Sequence, residues 1–166
     1  MAAAAIISVQ DYLGQIYRPD REYVGGELLE RNVGEYDHAR LQTEIAFYFR
    51  ARLAQWGLRA VVEQRVQVAP DRFRVPDVCI TAEAHPEQIF RKPPFACIEV
   101  LSPEDRLSEM QERVQDYLAF GVRYVWIVDP ATRKAWRCTQ TAMQEVAELR
   151  TENPDTVVPL AELFED

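Results

Sequence analysis

The apolar positions of the chain follow two periods, and the changes between them mark the elements. Ser8-Val9-Gln10-Asp11-Tyr12-Leu13 reads as a short helix capped by its serine. Tyr23-Val24-Gly25-Gly26-Glu27-Leu28-Leu29 reads as a hairpin, the Gly-Gly pair supplying the positive φ angles of a two-residue turn. Asp37 then caps a helix over 37–56. Leu41, Ile45, Phe49, Leu53 and Trp56 are its buried stripe, and Gly57 stops it.

Beyond Gly57 the period falls to two. Val62, Gln64, Val66 and Val68 share one face of a strand near 60–68, and Ala69-Pro70-Asp71 turns the chain. A short β-branched strand follows over 75–81. After a loop carrying His85-Pro86 and Lys92-Pro93-Pro94, the run 95–101 is apolar throughout except for Glu99, the pattern of a strand buried on both faces. Ser102 or Glu104 begins a second helix. Leu107, Met110, Val114, Tyr117 and Leu118 recur along it at helical spacing, and Gly121 ends it. Residues 124–129 form another buried strand, 135–138 and 145–149 a returning antiparallel pair, and 157–164 an amphipathic tail that docks. One mixed sheet with helices on it is the economical architecture.

Composition narrows the class. At 166 residues the chain reads as one domain, 1–166, and at 48% hydrophobic and 28% charged it suits a folded globule rather than a disordered tail. No apolar run approaches the roughly 20 residues needed to span a bilayer. Residues 1–7 lack a basic segment, so no secretion signal is expected. Cys79, Cys97 and Cys138 are isolated, which favours neither a zinc site nor a disulfide framework and makes the cytoplasm the default location. The net charge of −8 argues against holding nucleic acid by bulk electrostatics, but leaves room for acids on a metal and a local basic patch. Lys92 and Lys134 are the only lysines among 19 basic residues. Arginine suits bidentate phosphate contacts but cannot serve as a general base near neutral pH.

The chemistry centres on two acids. Asp77 follows Pro76, and Glu99 lies inside the next strand between Ile98 and Val100. A charged glutamate in a buried strand is unfavourable without a partner. If 75–81 pairs with 95–101, both carboxylates reach one end of the sheet. There they would form a hard-oxygen site for Mg²⁺ or Mn²⁺. The alternative is structural: Glu99 paired with an arginine, Asp77 capping a turn.

Four blocks carry a resemblance. Arg74-Val75-Pro76-Asp77-Val78, Ile98-Glu99-Val100-Leu101-Ser102-Pro103, Tyr117-Leu118-Ala119-Phe120-Gly121-Val122 and Tyr124-Val125-Trp126-Ile127-Val128-Asp129-Pro130, in this order, resemble the Uma-type family of restriction endonucleases, within the PD-(D/E)-X-K nuclease superfamily. Tyr23-Val24-Gly25-Gly26-Glu27 and His38 match its N-terminal pattern. The resemblance covers residues 23–138 and leaves short appendages at both ends. It implies a restriction-endonuclease-like α/β fold, a mixed β-sheet core flanked by helices. It implies Asp77, Glu99 and the main-chain carbonyl of Val100 as ligands of Mg²⁺ or Mn²⁺, and hydrolysis of DNA phosphodiester bonds.

The chain departs from that pattern at the lysine. Leu101 stands two residues after Glu99, and Arg113 stands four residues before Tyr117, where the family resemblance implies the displaced lysine. Arg106, Met110, Arg113 and Tyr117 share one helical stripe beside the buried face. From there Arg113 could stabilise charge on a phosphate but could not take a proton from water. Its alternative is a surface pair with Glu109. The family match makes His38 a water- or phosphate-orienting group; otherwise it bonds Asp37 or Glu35. Arg65 and Arg74 are phosphate-binding candidates that could equally pair with nearby acids. Glu27 and Glu44 read as solvated. A catalytically weakened relative, kept as a nucleic-acid-binding or interaction domain, is the competing function. Free edge strands and the docking tail are compatible with a homodimer.

Overall fold

A computed structural model describes residues 6–32 and 34–165 of the chain. Most of the start of the chain, read above for a secretion signal, lies outside the described residues. Helix α1 (Val9–Leu13) begins at Ser8, whose side chain accepts from the Asp11 amide. Strands β1 (Arg21–Val24) and β2 (Glu27–Glu30) form the expected hairpin, with Gly25 and Gly26 at φ +56° and +97°. Helix α2 (Tyr36–Ala51) buries Leu41, Ile45 and Phe49, and a short α3 (Leu53–Trp56) continues it. The residue capping α2 is Glu35, and Asp37 sits in its first turn.

The predicted strand near 60–68 is two strands in two sheets. Strand β3 (Arg59–Val62) ends where Glu63 takes φ +50°, and β4 (Val66–Ala69) belongs elsewhere. The expected strand over 75–81 divides in the same way. Strand β5 (Arg72–Arg74) stops before Val75-Pro76-Asp77, and β6 (Val78–Thr81) starts after it. Pro76 has no amide hydrogen to give a ladder, so the break falls there. The chain therefore crosses between the sheets twice, and both crossings meet where the Glu63 amide donates to the Asp77 carbonyl at 3.1 Å.

Strand β7 (Ala96–Val100) leads into a turn in which the Ser102 amide and hydroxyl both donate to Asp105. That turn replaces the predicted helix start, and α4 runs Leu107–Phe120. Strand β8 (Tyr124–Asp129) follows, then β9 (Lys134–Cys138), β10 (Met143–Val146), β11 (Glu148–Thr151), β12 (Thr156–Pro159) and α5 (Leu160–Leu163). Strand β9 pairs with β10, while 148–151 leaves for a separate hairpin with β12.

Among the described residues, three sheets replace the single sheet expected from sequence. The six-stranded sheet has the order β10-β9-β8-β7-β6-β3, the smaller ones β2-β1-β5-β4 and β11-β12. The large sheet is mixed: β7 and β8 are parallel and joined by α4, and its other pairs are antiparallel. Strand parity sorts its core into two layers. Val78, Ile80, Ile98, Val100, Trp126 and Val128 face α2; Cys79, Cys97, Val125 and Ile127 face Met110, Val114 and Tyr117 of α4. Glu99 shares the parity of Cys97 and points toward α4. Trp126 is packed in the core, and Trp56 and Trp136 lie half-buried against it. Cys79, Cys97 and Cys138 are free and buried. No described helix is long and apolar enough to cross a membrane.

Gly121 ends α4 at φ +106°, and a Cβ there would lie 3.3 Å from Pro93 Cγ. Gly121→Ala is expected to destabilise the protein by more than about 1 kcal/mol, read as a lower urea midpoint. An unchanged midpoint would show that the α4–β8 corner relaxes freely.

Candidate functional site

Asp77 and Glu99 are brought together by different means. Glu99 is carried by the regular register of β7. Asp77 is carried by the irregular crossing before β6, where Gln42 Nε2 of α2 donates to its carbonyl at 2.8 Å. Both side chains are almost fully buried, at 3% and 2% exposure. The Val100 amide donates to Asp77 Oδ2 at 2.7 Å, which sets Asp77 at the C-terminal end of β7 beside Glu99. Together with Val100, Asp105 and Ser102 they line one small cleft.

Two guanidinium groups and an imidazole face them. Arg31 Nη2 donates to Asp77 Oδ1 at 2.6 Å, and His38 Nε2 lies 3.4 Å from the same oxygen. His38 thus reaches across to Asp77 rather than bonding Asp37 or Glu35. Arg113 is half-buried, as its helical stripe predicts. It faces Glu22 at 3.4 Å, Asp105 at 3.7 Å and Glu99 at 3.9 Å, not the exposed Glu109.

The two acids titrate in opposite directions. Burial pushes the Glu99 carboxyl up to about 8, and the negative charge of Asp77 adds to this. Tyr117 donates its hydroxyl to Glu99 Oε1 from α4. For Asp77, burial alone would also raise the pKa. The hydrogen bond from His38 and the charge of Arg31 outweigh it and hold the carboxyl below its usual range. The same bond to Asp77 holds the His38 imidazole above its usual value.

Arg74 is not presented to a phosphate. It is 2% exposed, and every nitrogen of its guanidinium is engaged: Nη1 with Glu22 at 2.8 Å, Nε with Asp116 at 2.7 Å, Nη2 with Glu112 at 3.1 Å. This corrects the sequence expectation. The acids that neutralise Arg74 come from β1 and α4, remote in sequence. Arg65 lies outside the Asp77 cleft, stacked 4.8 Å over the Tyr12 ring in an adjoining groove shared with Arg21 and Glu63. Glu27 is exposed and Glu44 half-buried, both away from the cleft lining.

Sequence reasoning missed three groups. Arg31 follows the hairpin with no local pattern to single it out. Glu22, 1% exposed, receives the Val75 amide at 3.0 Å as well as Arg74. Asp105 looked like part of a helix start. The signal available was global and weak: an excess of arginine over lysine is compatible with buried ion pairs but does not say where they lie.

The donor set suits a hard divalent ion. Two carboxylates and a main-chain carbonyl at one strand end could serve as oxygen ligands, and the cation facing Glu99, Arg113, stands off at 3.9 Å. Among the described residues no group of three or more His, Cys, Asp or Glu side chains converges to hold a metal, so such an ion would rest on Asp77, Glu99 and the Val100 carbonyl.

The mixed α/β fold defines the class. At 20% sequence identity and a TM-score of 0.80, the chain shares its mixed α/β fold with a crystal structure from Anabaena variabilis ATCC 29413, described as "a putative nuclease belonging to DUF820". The match covers 95% of this chain and 97% of that one. No curated protein matches. The family model "Uma2: Putative restriction endonuclease" matches residues 9–166, and the chain belongs to that family.

Proposed function

We propose that the protein is an Mg²⁺- or Mn²⁺-dependent endonuclease that hydrolyses DNA phosphodiester bonds, with Asp77, Glu99 and the Val100 carbonyl as metal ligands. The observation that supports this most is the meeting of two buried carboxylates at the end of β7, in a chain of the Uma2 family. A bound ion would neutralise the paired acids, lower the pKa of a water and stabilise charge on the reacting phosphate. Arg113 offers a guanidinium to a phosphate oxygen but takes no proton. His38, tied to Asp77, orients a water or phosphate. Arg65 is the group offered to the DNA backbone in the adjoining groove; Arg21 there is paired with Glu30, and Asp20 and Glu63 line the same groove, so the contact is a local one and not a broad basic face.

Calorimetric titration with Mg²⁺ and Mn²⁺, beside cleavage of supercoiled plasmid, tests this reading. The parent should bind one ion and nick DNA, and Asp77→Asn should do neither. No heat at millimolar metal, with parent and variant alike, would remove the enzyme. A second reading, a weakened member that binds without cutting, is favoured by Arg113 at the lysine position. Arg113→Lys should raise cleavage about tenfold or more if a proton-accepting amine is what the site lacks. Equal rates would mean that the arginine already serves.

A further inference from the structure

The Asp77 carboxylate already carries a cation. Its Oδ2 is taken by the Val100 amide, which belongs to β7 and cannot leave without breaking the strand. Its Oδ1 faces Arg31 at 2.6 Å and His38 at 3.4 Å. The cavity left among these groups is about 10 Å³, room for roughly one water and not for a hydrated divalent ion. An ion can therefore reach Oδ1 only if a resident side chain yields.

Arg31 is the side chain built to yield. Arg113 is held among three acids, and His38 is fixed by α2. Arg31 stands just past the end of β2, outside regular structure. Among the described residues its one side-chain hydrogen bond is to Asp77. Glu63 is 3.8 Å away and half-exposed, and Glu99 and Glu22 attract the guanidinium only from farther off. Two cations on one carboxylate oxygen repel each other, so entry of an ion favours departure of the guanidinium.

We propose that Arg31 stands in for the metal on Asp77 Oδ1, is displaced when the ion enters, and then pairs with a phosphodiester of the nucleic acid. The proposal rests on the metal-site reading above. Ion and nucleic acid become linked through it: the ion releases the guanidinium that the phosphate needs, and the phosphate removes the ion's competitor. Arg31 is a positioning residue toward the metal and a direct contact toward the substrate.

Mn²⁺ titration of the full chain by calorimetry, without DNA, reads the competition. Arg31→Ala should bind Mn²⁺ about tenfold more tightly than the parent, and Arg31→Lys, which keeps a cation, should return toward the parent affinity. Arg31→Gln tests the same point with a polar side chain should the alanine variant fold poorly, and should also bind more tightly. In Ca²⁺, binding of duplex DNA should weaken about tenfold in Arg31→Ala. A residue that only supports the fold would leave Mn²⁺ affinity equal or lower in both neutral variants, and that result overturns the proposal. If binding is equal in all three and lost in Asp77→Asn, the metal site stands and the role of Arg31 falls. If parent and Arg31 variants all fail to bind Mn²⁺, the metal-site reading itself falls and takes this one with it.

Discussion

In a chelating buffer at pH 8, Glu99→Gln should unfold at a higher temperature than the parent protein, although it removes a residue from the proposed active centre. Glu99 is 2% exposed, and the nearest cation, Arg113, is 3.9 Å away. Burial raises its carboxyl from 4.5 to about 8. A carboxyl with a raised folded pKa binds its proton more tightly in the native state. Its stabilising contribution is complete below the unfolded value and is lost as pH rises from 4.5 toward 8. Glutamine does not titrate. The advantage of the variant should therefore be small near pH 5 and grow to the order of a few kcal/mol by pH 8. Mg²⁺ should reverse the order, because the ion binds the folded parent and raises its midpoint while the variant stays where it was. Plasmid cleavage should disappear in the variant at every pH. Unfolding of Glu99→Gln at room temperature would make the glutamate a structural strut and remove the proposed centre.

The second large effect lies in the buried knot beside the cleft. Arg74→Met is expected to destabilise the protein by about 3–5 kcal/mol, read in urea unfolding. Glu22 would be left buried with only the Val75 amide and a more distant Arg113 to balance it. Asp116 would keep Arg72 at 2.7 Å, so the damage should concentrate on Glu22. Glu22→Gln added to Arg74→Met should recover much of the loss by removing the stranded charge. A double variant no more stable than Arg74→Met would place the energy in packing instead.

The centre of the large sheet was legible because β6, β7 and β8 are buried on both faces, with prolines or glycines near their ends. Residues 124–129 appear as a strand with the bounds read from the sequence. The half-burial of Arg113 followed from helical spacing alone. What hid was the division between sheets. The apolar alternation runs through Glu63 without a missed beat, since both sheets use period two, and only the positive φ at that residue reveals the turn. The same masking joined 145–149, where two hairpins abut at Ala147. Glu22 and Arg31 were invisible for another reason. Their partners Val75 and Asp77 are 53 and 46 residues away, and nothing local requires a buried charge at either position.

Asp77 joins more of the molecule than its chemistry requires. Its carbonyl receives Gln42 of α2 and the Glu63 amide, and its carboxylate receives the last amide of β7. Trimming this residue to alanine would remove a tie-beam along with a ligand, and lost turnover in such a protein would confound collapse with chemistry. Asparagine keeps an oxygen for the Val100 amide, so it separates the two. Any relative in which that beam persists without nuclease activity would show architecture outliving catalysis.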